Sequence, residues 1–194
     1  MEKGNKSPEK ETETKNTEKT RLKYANYHVI EVVCENVSPI LGGRVGSPDE
    51  CLKYDLDQVN VFERTNGGDI LFPARWFRAC CRDAARMIGI SESAIMERVG
   101  FDDGIVDLNG NEIEIERMKI SPKVKGIKQG REANFEKIAA GTKFTTSFAV
   151  PAKGIGIEKF RKLLENAGKW IGIGAFRKGF GRFKIVEFKD LGKI

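Results

Sequence analysis

Stretches of alternating and helical hydrophobic spacing succeed one another along the chain. Tyr27–Cys34 (YHVIEVVC) is crowded with β-branched and aromatic residues, which predicts a buried first strand. A loop follows at Val37–Gly46, carrying Gly42, Gly43 and Arg44. Asp55–Phe62 reads as a short strand, and Asn66-Gly67-Gly68 turns the chain into a strand at Ile70–Phe72. Pro73 then opens a helix over Ala74–Ile88, because a missing N–H costs nothing in a first turn. Ser91 caps a second, short helix. Asn109-Gly110 between Ile105–Leu108 and Ile113–Ile115 signals a hairpin. Lys119–Gly130 reads as a hairpin or loop, Phe144–Val150 as a strand, Ile157–Ala167 as a helix ending at Gly168, and Arg182–Phe188 as a strand of period two. The last hundred residues thus close with β-α-β, and no tandem repeat is present.

Residues 1–23 break this pattern. They are rich in Lys, Glu and Thr and nearly devoid of apolar side chains, so burial cannot offset the entropy of ordering them. They read as a disordered, solubilising tail ahead of one domain at 24–194. No apolar run approaches the roughly 18 residues of a membrane helix, and the N-terminus shows no signal peptide. The expectation is a soluble, cytoplasmic chain without a membrane partner. Cys34, Cys51, Cys80 and Cys81 form no CxxC pair and His28 is the lone histidine, which argues against a zinc site and against any metal or cofactor. Free thiols are expected.

The net charge of +6 hides a polarised chain. Residues 1–23 carry 7 basic and 5 acidic side chains, residues 24–116 carry 8 and 17, and residues 117–194 carry 19 and 6. The last segment is therefore +13, which points to a polyanion partner unless the fold interleaves the charges.

Three constellations could carry chemistry. At 100° per residue, Arg75, Arg78, Arg82 and Arg86 form one stripe of the helix after Pro73, opposite Phe77, Cys81, Ala84 and Ile88, which should face the core. Guanidinium forks on such a stripe suit phosphate or carboxylate; the alternative is a solvated face relieved by nearby acids. The second is Gly168–Phe183, with five glycines in its first fourteen residues interleaved with Phe176, Arg177, Lys178, Phe180 and Arg182. It follows a helix and precedes a strand, the reverse of a dinucleotide-binding turn, and no GxxxxGK[ST] loop exists. Glycine, cations and aromatics together fit a single strand, where bases stack and phosphates meet charge. The alternative is a tight connection with core aromatics, the reading adopted for Phe183 and Phe188. The third is Lys119–Arg131, where Lys123, Lys125, Lys128 and Arg131 make either a basic arm or an ordinary loop.

These residues carry a resemblance. Gly172-x-Gly174-x-x-Arg177-x-Gly179-Phe-Gly181-Arg182-Phe183 is similar to the glycine-rich loop of the RAMP superfamily of CRISPR-associated proteins, especially its Cas7-like branch. Asn66–Pro73 followed by the helix with Arg82 resembles its turn-apolar-proline-helix element, and Ser38–Gly43 its early glycine turn. Small phage-encoded proteins look similar. The closing β-α-β is half of a ferredoxin-like unit. The resemblance implies an α+β fold with a ferredoxin-like (RRM-like) core, an antiparallel sheet with helices on one face, and insertions. It also implies binding of RNA or other single strands, often as a polymer of identical subunits, together with other CRISPR-type subunits. Family members often carry Ser-Ser and Lys-Gly after the proline, where Ala74–Ala79 stands here. The aspartate of RNA-cleaving members falls on Gln58, one residue from Asp57.

The favoured reading is a non-enzymatic module that coats single-stranded RNA or DNA through Arg44, Arg75, Arg78, Arg82, Lys123, Lys125, Lys128, Arg131, Phe176, Arg177, Lys178 and Arg182. The alternatives are a ribonuclease using Asp55, Asp57 or His28, and a basic face that docks an acidic protein. A packed core position is the plainer expectation for His28.

Overall fold

The structure, a computed structural model, describes residues 26–120, 123–124, 127–128, 130–177 and 179–194. The first strand, β1 (Tyr27–Asn36), alternates as its sequence does: Ile30, Val32 and Cys34 face the core and the residues between them are half-buried. There follow β2 (Ile40–Leu41), β3 (Arg44–Val45), helix α1 (Pro48–Lys53), β4 (Asn60–Val61), β5 (Glu63–Arg64) and β6 (Ile70–Phe72). Next come α2 (Ala74–Met87), α3 (Glu92–Met96), β7 (Gly100–Phe101), β8 (Gly104–Asp107), β9 (Glu114–Ile120), β10 (Lys123–Val124) and β11 (Ile127–Lys128). The chain ends with β12 (Arg131–Ile138), β13 (Lys143–Pro151), α4 (Gly156–Asn166), a π turn at Ala167–Ile171 and β14 (Phe183–Lys193).

The larger sheet runs β14-β1-β13-β8-β6-β5 with β7 beside β13, and every pairing in it is antiparallel. Helix α2 lies in sequence between β1 and β8, and α4 between β13 and β14. Both bury their apolar stripes in one core with this sheet: Phe77, Cys80, Cys81, Ala84 and Ala85 from α2, Phe160, Leu163 and Leu164 from α4. Aromatic rings lock the layers together. Phe144 and Phe148 on β13 meet Phe77 with centroids at 5.9 and 6.1 Å, and Phe148 meets Phe160 at 5.0 Å. Burying each such ring contributes about 1.5–3 kcal/mol. A smaller sheet, β2-β12-β4-β3 with β9 on β12, is antiparallel except between β12 and β4. Cys51, Val59 and Val61 form its own small core. The fold is thus α+β, with antiparallel sheets, few helices and no closed barrel among the described residues. No helix of these residues is long and apolar enough to cross a membrane.

Several local expectations change. Asn109-Gly110 does turn, with both φ angles positive, but it makes no hairpin. β8 pairs β13 and β6 in the larger sheet while β9 pairs β12 in the smaller, so the turn passes the chain between sheets. Of Asp55–Phe62 only Asn60–Val61 is strand. Helix α1 goes beyond the sequence reading, although Ser47-Pro-Asp-Glu50 is a capping box: Glu50 N donates to Ser47 Oγ, and Ser47 N to Glu50 Oε2. Ile88, expected in the core, caps α2 and is 38% exposed. Phe188 is only half-buried, with the Arg161 guanidinium 5.4 Å from its ring centroid. The expected tail lies outside the described residues.

Candidate nucleic-acid interface

The glycine-rich loop folds by crossing over itself and over the early glycine turn. Ile173 N donates to Gly181 O at 2.8 Å, Gly181 N to Pro39 O at 2.8 Å, and Arg182 N to Ser38 Oγ at 2.9 Å. A Cβ on Gly181 would stand 1.7 Å from Ile173 O, and one on Gly172 would stand 2.7 Å from Phe180 O. These two glycines let the chain approach itself, not a ligand. The third participant is the start of α2: a Cβ on Gly43 would meet Ala175 Cβ and Trp76 Cζ2, each at 3.2 Å. Glycine turn, glycine loop and arginine helix, separate in sequence, meet at one place.

Arg177 reaches α2 from this loop. Its Nη1 donates to Asp83 Oδ2 at 2.8 Å, and Arg82 Nε donates to Asp83 Oδ1 at 3.0 Å. Arg86 Nη1 lies 3.8 Å from the same oxygen and is held bidentately by Glu92. Burial pushes the Asp83 carboxyl up, but the bonds and charges of Arg82 and Arg177 overcome this and hold it below its ordinary value. Arg44 donates to Glu50 at 2.5 Å, a bond that pulls Glu50 down to about 2. Arg182 is exposed, with no carboxylate on its side chain among the described residues.

The arginine stripe divides. Arg75 pairs with Glu63, and Arg78 donates to the Met96 carbonyl; both line a separate cleft with Val99, Gly100 and Phe101. Much of the stripe's charge is met by carboxylates, as the solvated-face alternative requires. Phe176 packs edge-on against Phe135, centroids 5.3 Å apart, and remains half-buried. Arg131 lies away from the loop, in a cleft of about 410 Å³ with Asp55, Asp57, Gln58, Arg117 and Asn134. Lys125 and Lys178 lie outside the described residues, as do the side chains of Lys123 and Lys128.

His28 is not a core residue. Its Nδ1 lies 2.7 Å from Asp190 Oδ2, and the pair lines a groove with Phe188, Lys159 and Arg161. Among the described residues no group of three His, Cys, Asp or Glu side chains could hold a metal ion. Sequence pattern does not single out Trp76, Asp83, Glu50 or Glu136. An aspartate between arginines is a weak signal of a shared partner, and Glu136, one of several polar residues in the strand REANFEKI, gives none.

No family model matches the sequence, and no curated protein matches it either. Solved structures do. A chain of the type III-B Cmr-beta assembly, determined by cryo-EM bound to cognate target RNA, is similar over 95% of this chain and 67% of that one, with 17% identity and a TM-score of 0.55. Cmr6 from Pyrococcus furiosus is similar over 82% of this chain and 99% of its own, with 13% identity and a TM-score of 0.53. The chain thus shares its fold with this Cmr-beta chain and with Cmr6.

Proposed function

We propose that this chain is a non-enzymatic module that binds single-stranded nucleic acid, RNA above all. It coats its strand as a repeating subunit of a ribonucleoprotein filament, alone or with other CRISPR-type subunits, in antiviral defence or in a phage. Residues 24–194 act as one cytoplasmic RAMP-like domain. The strand order β14-β1-β13-β8, with a helix between β1 and β8 and another between β13 and β14, supports a ferredoxin-like core within the larger sheet. The observation that carries the reading is the meeting of the glycine loop, the glycine turn and α2 around Arg177, Arg82 and Arg182, the last without a carboxylate partner among the described residues. The similarity to an assembly determined bound to target RNA points the same way. Arg44 and Phe176 extend this surface, and the sequence adds Lys178 beside Arg177; Arg75 and Arg78 approach it from the next cleft. Arg131 on β12 of the smaller sheet and Lys123 and Lys128 on the separate β10-β11 pair form a second contact, to which the sequence adds Lys125.

A second reading, RAMP-type ribonuclease, draws on the cleft that joins Asp55 and Asp57 to Arg117 and Arg131. Incubating purified protein with end-labelled single-stranded RNA, with and without Mg²⁺, separates the two. Retarded but intact RNA is expected. Chelator-sensitive cleavage abolished by Asp57→Asn would promote the second reading, and retardation only of a polyacidic protein would replace both.

A further inference from the structure

An acidic side chain inside a polyanion site should weaken it on charge alone, yet Asp83 sits at the centre of this one. Each of its oxygens takes one guanidinium: Oδ2 that of Arg177 from the glycine loop, Oδ1 that of Arg82 from α2, with Arg86 3.8 Å from Oδ1. The carboxylate is the more covered partner, its side chain 23% exposed against 34% for Arg177 and 36% for Arg82. A guanidinium has five N–H donors, and the described bonds to Asp83 use one from each arginine, so both forks retain donors. Arg177 stands between Gly174 and Gly179, both at positive φ, in a loop whose backbone does little to fix a long side chain. Asp83 is its only hydrogen-bond partner among the described residues.

We propose that Asp83 is a positioning residue: it fixes the guanidiniums of Arg177 and Arg82 so that both address phosphates of one single strand. This rests on the reading that the surface binds single-stranded RNA. Asp83 itself touches no phosphate. Its contribution is to hold in advance two side chains that the ligand would otherwise have to order.

The test sets charge against geometry. Asp83→Asn removes a negative charge, so simple electrostatics demands tighter binding to a labelled single-stranded RNA oligomer. Positioning demands the opposite, a loss of at least fivefold, with Asp83→Glu within about twofold of wild type. In an Arg82→Ala, Arg177→Ala background the Asp83→Asn loss should vanish, because nothing remains to position. Unchanged or tighter binding by a folded Asp83→Asn protein overturns the proposal while leaving RNA binding intact. Wild-type protein that ignores single strands takes both. Should Asp83→Asn lose its cooperative melt, Asp83→Ser carries the test, since it too removes the charge and the bridging carboxylate. A fivefold loss by the folded variant supports positioning; binding equal to or tighter than wild type overturns it.

Discussion

The carboxylate of Glu136 accepts from three elements at once: Tyr54 OH at the end of α1 (2.6 Å), Phe62 N between β4 and β5 (2.8 Å) and Arg64 Nη2 on β5 (2.6 Å). Its backbone carbonyl takes Gly42 N at 2.9 Å, so this buried residue of β12 ties the glycine turn to the smaller sheet. Glu136→Gln should lower unfolding free energy by about 2 kcal/mol in urea titration, because Arg64 loses the nearer of its two charged partners, keeping Glu50 at 3.8 Å, and one acceptor position becomes a donor. Next along the network, Glu50 has a folded pKa of about 2 against an ordinary 4.5, so it contributes stability in full above about pH 4.5. That contribution disappears as pH falls through 2. The melting-temperature gap between wild type and Glu50→Gln should therefore be widest near neutrality and shrink from pH 4.5 towards pH 2. A gap that widens on acidification would contradict this account of Arg44 and Glu50.

Within the glycine loop, two glycines of similar φ have different consequences. Gly181 and Gly179 both sit in the left-handed region, at 72° and 89°. Alanine at Gly181 must also push its Cβ away from Ile173 O, whereas a Cβ at Gly179 meets nothing within 4 Å. Gly181→Ala should cost at least about 3 kcal/mol and Gly179→Ala about 1 kcal/mol, read by thermal or urea unfolding. The loop was legible in the sequence as glycine, cation and aromatic, but its self-crossing was not, because composition does not reveal which backbone atoms approach one another. The same limit explains Asn109-Gly110. A tight turn is written locally, while the partner of each flanking strand is decided by long-range packing, here in two different sheets. Helix α2 was legible because Pro73 and a strong apolar stripe act within the element itself. Ile88 escaped the stripe because the helix ends one residue before it.

At the scale of the molecule, one aromatic-rich core carries the larger sheet with α2 and α4, and three thiols lie inside it. Burial pushes Cys34 and Cys81 well up and Cys80 to about 12, so all three should resist a thiol reagent in native protein and react on unfolding. Rapid labelling of Cys80 or Cys81 at neutral pH would mean that this core opens. The overall class was legible from alternating elements, but the second sheet was not, since its β2, β3 and β4 are two-residue pieces without a period of their own. Charge polarity was legible too, yet pairing with Glu63, Asp83 and Glu92 reduces the arginine stripe to fewer free cations than its sequence offers. Binding should therefore depend on the glycine loop and not on the tail. Removing residues 1–23 should alter affinity by less than about threefold, roughly 0.7 kcal/mol. The most direct measurement is a salt titration of single-stranded RNA affinity for wild type and an Arg177→Ala, Arg182→Ala protein with unchanged melting. The account predicts a log–log slope near −0.7 per phosphate contacted, shallower in the variant, and affinity at least tenfold weaker there, about 1.4 kcal/mol. A wild-type affinity that stays flat with salt, or a folded variant that binds as tightly as wild type, would contradict it.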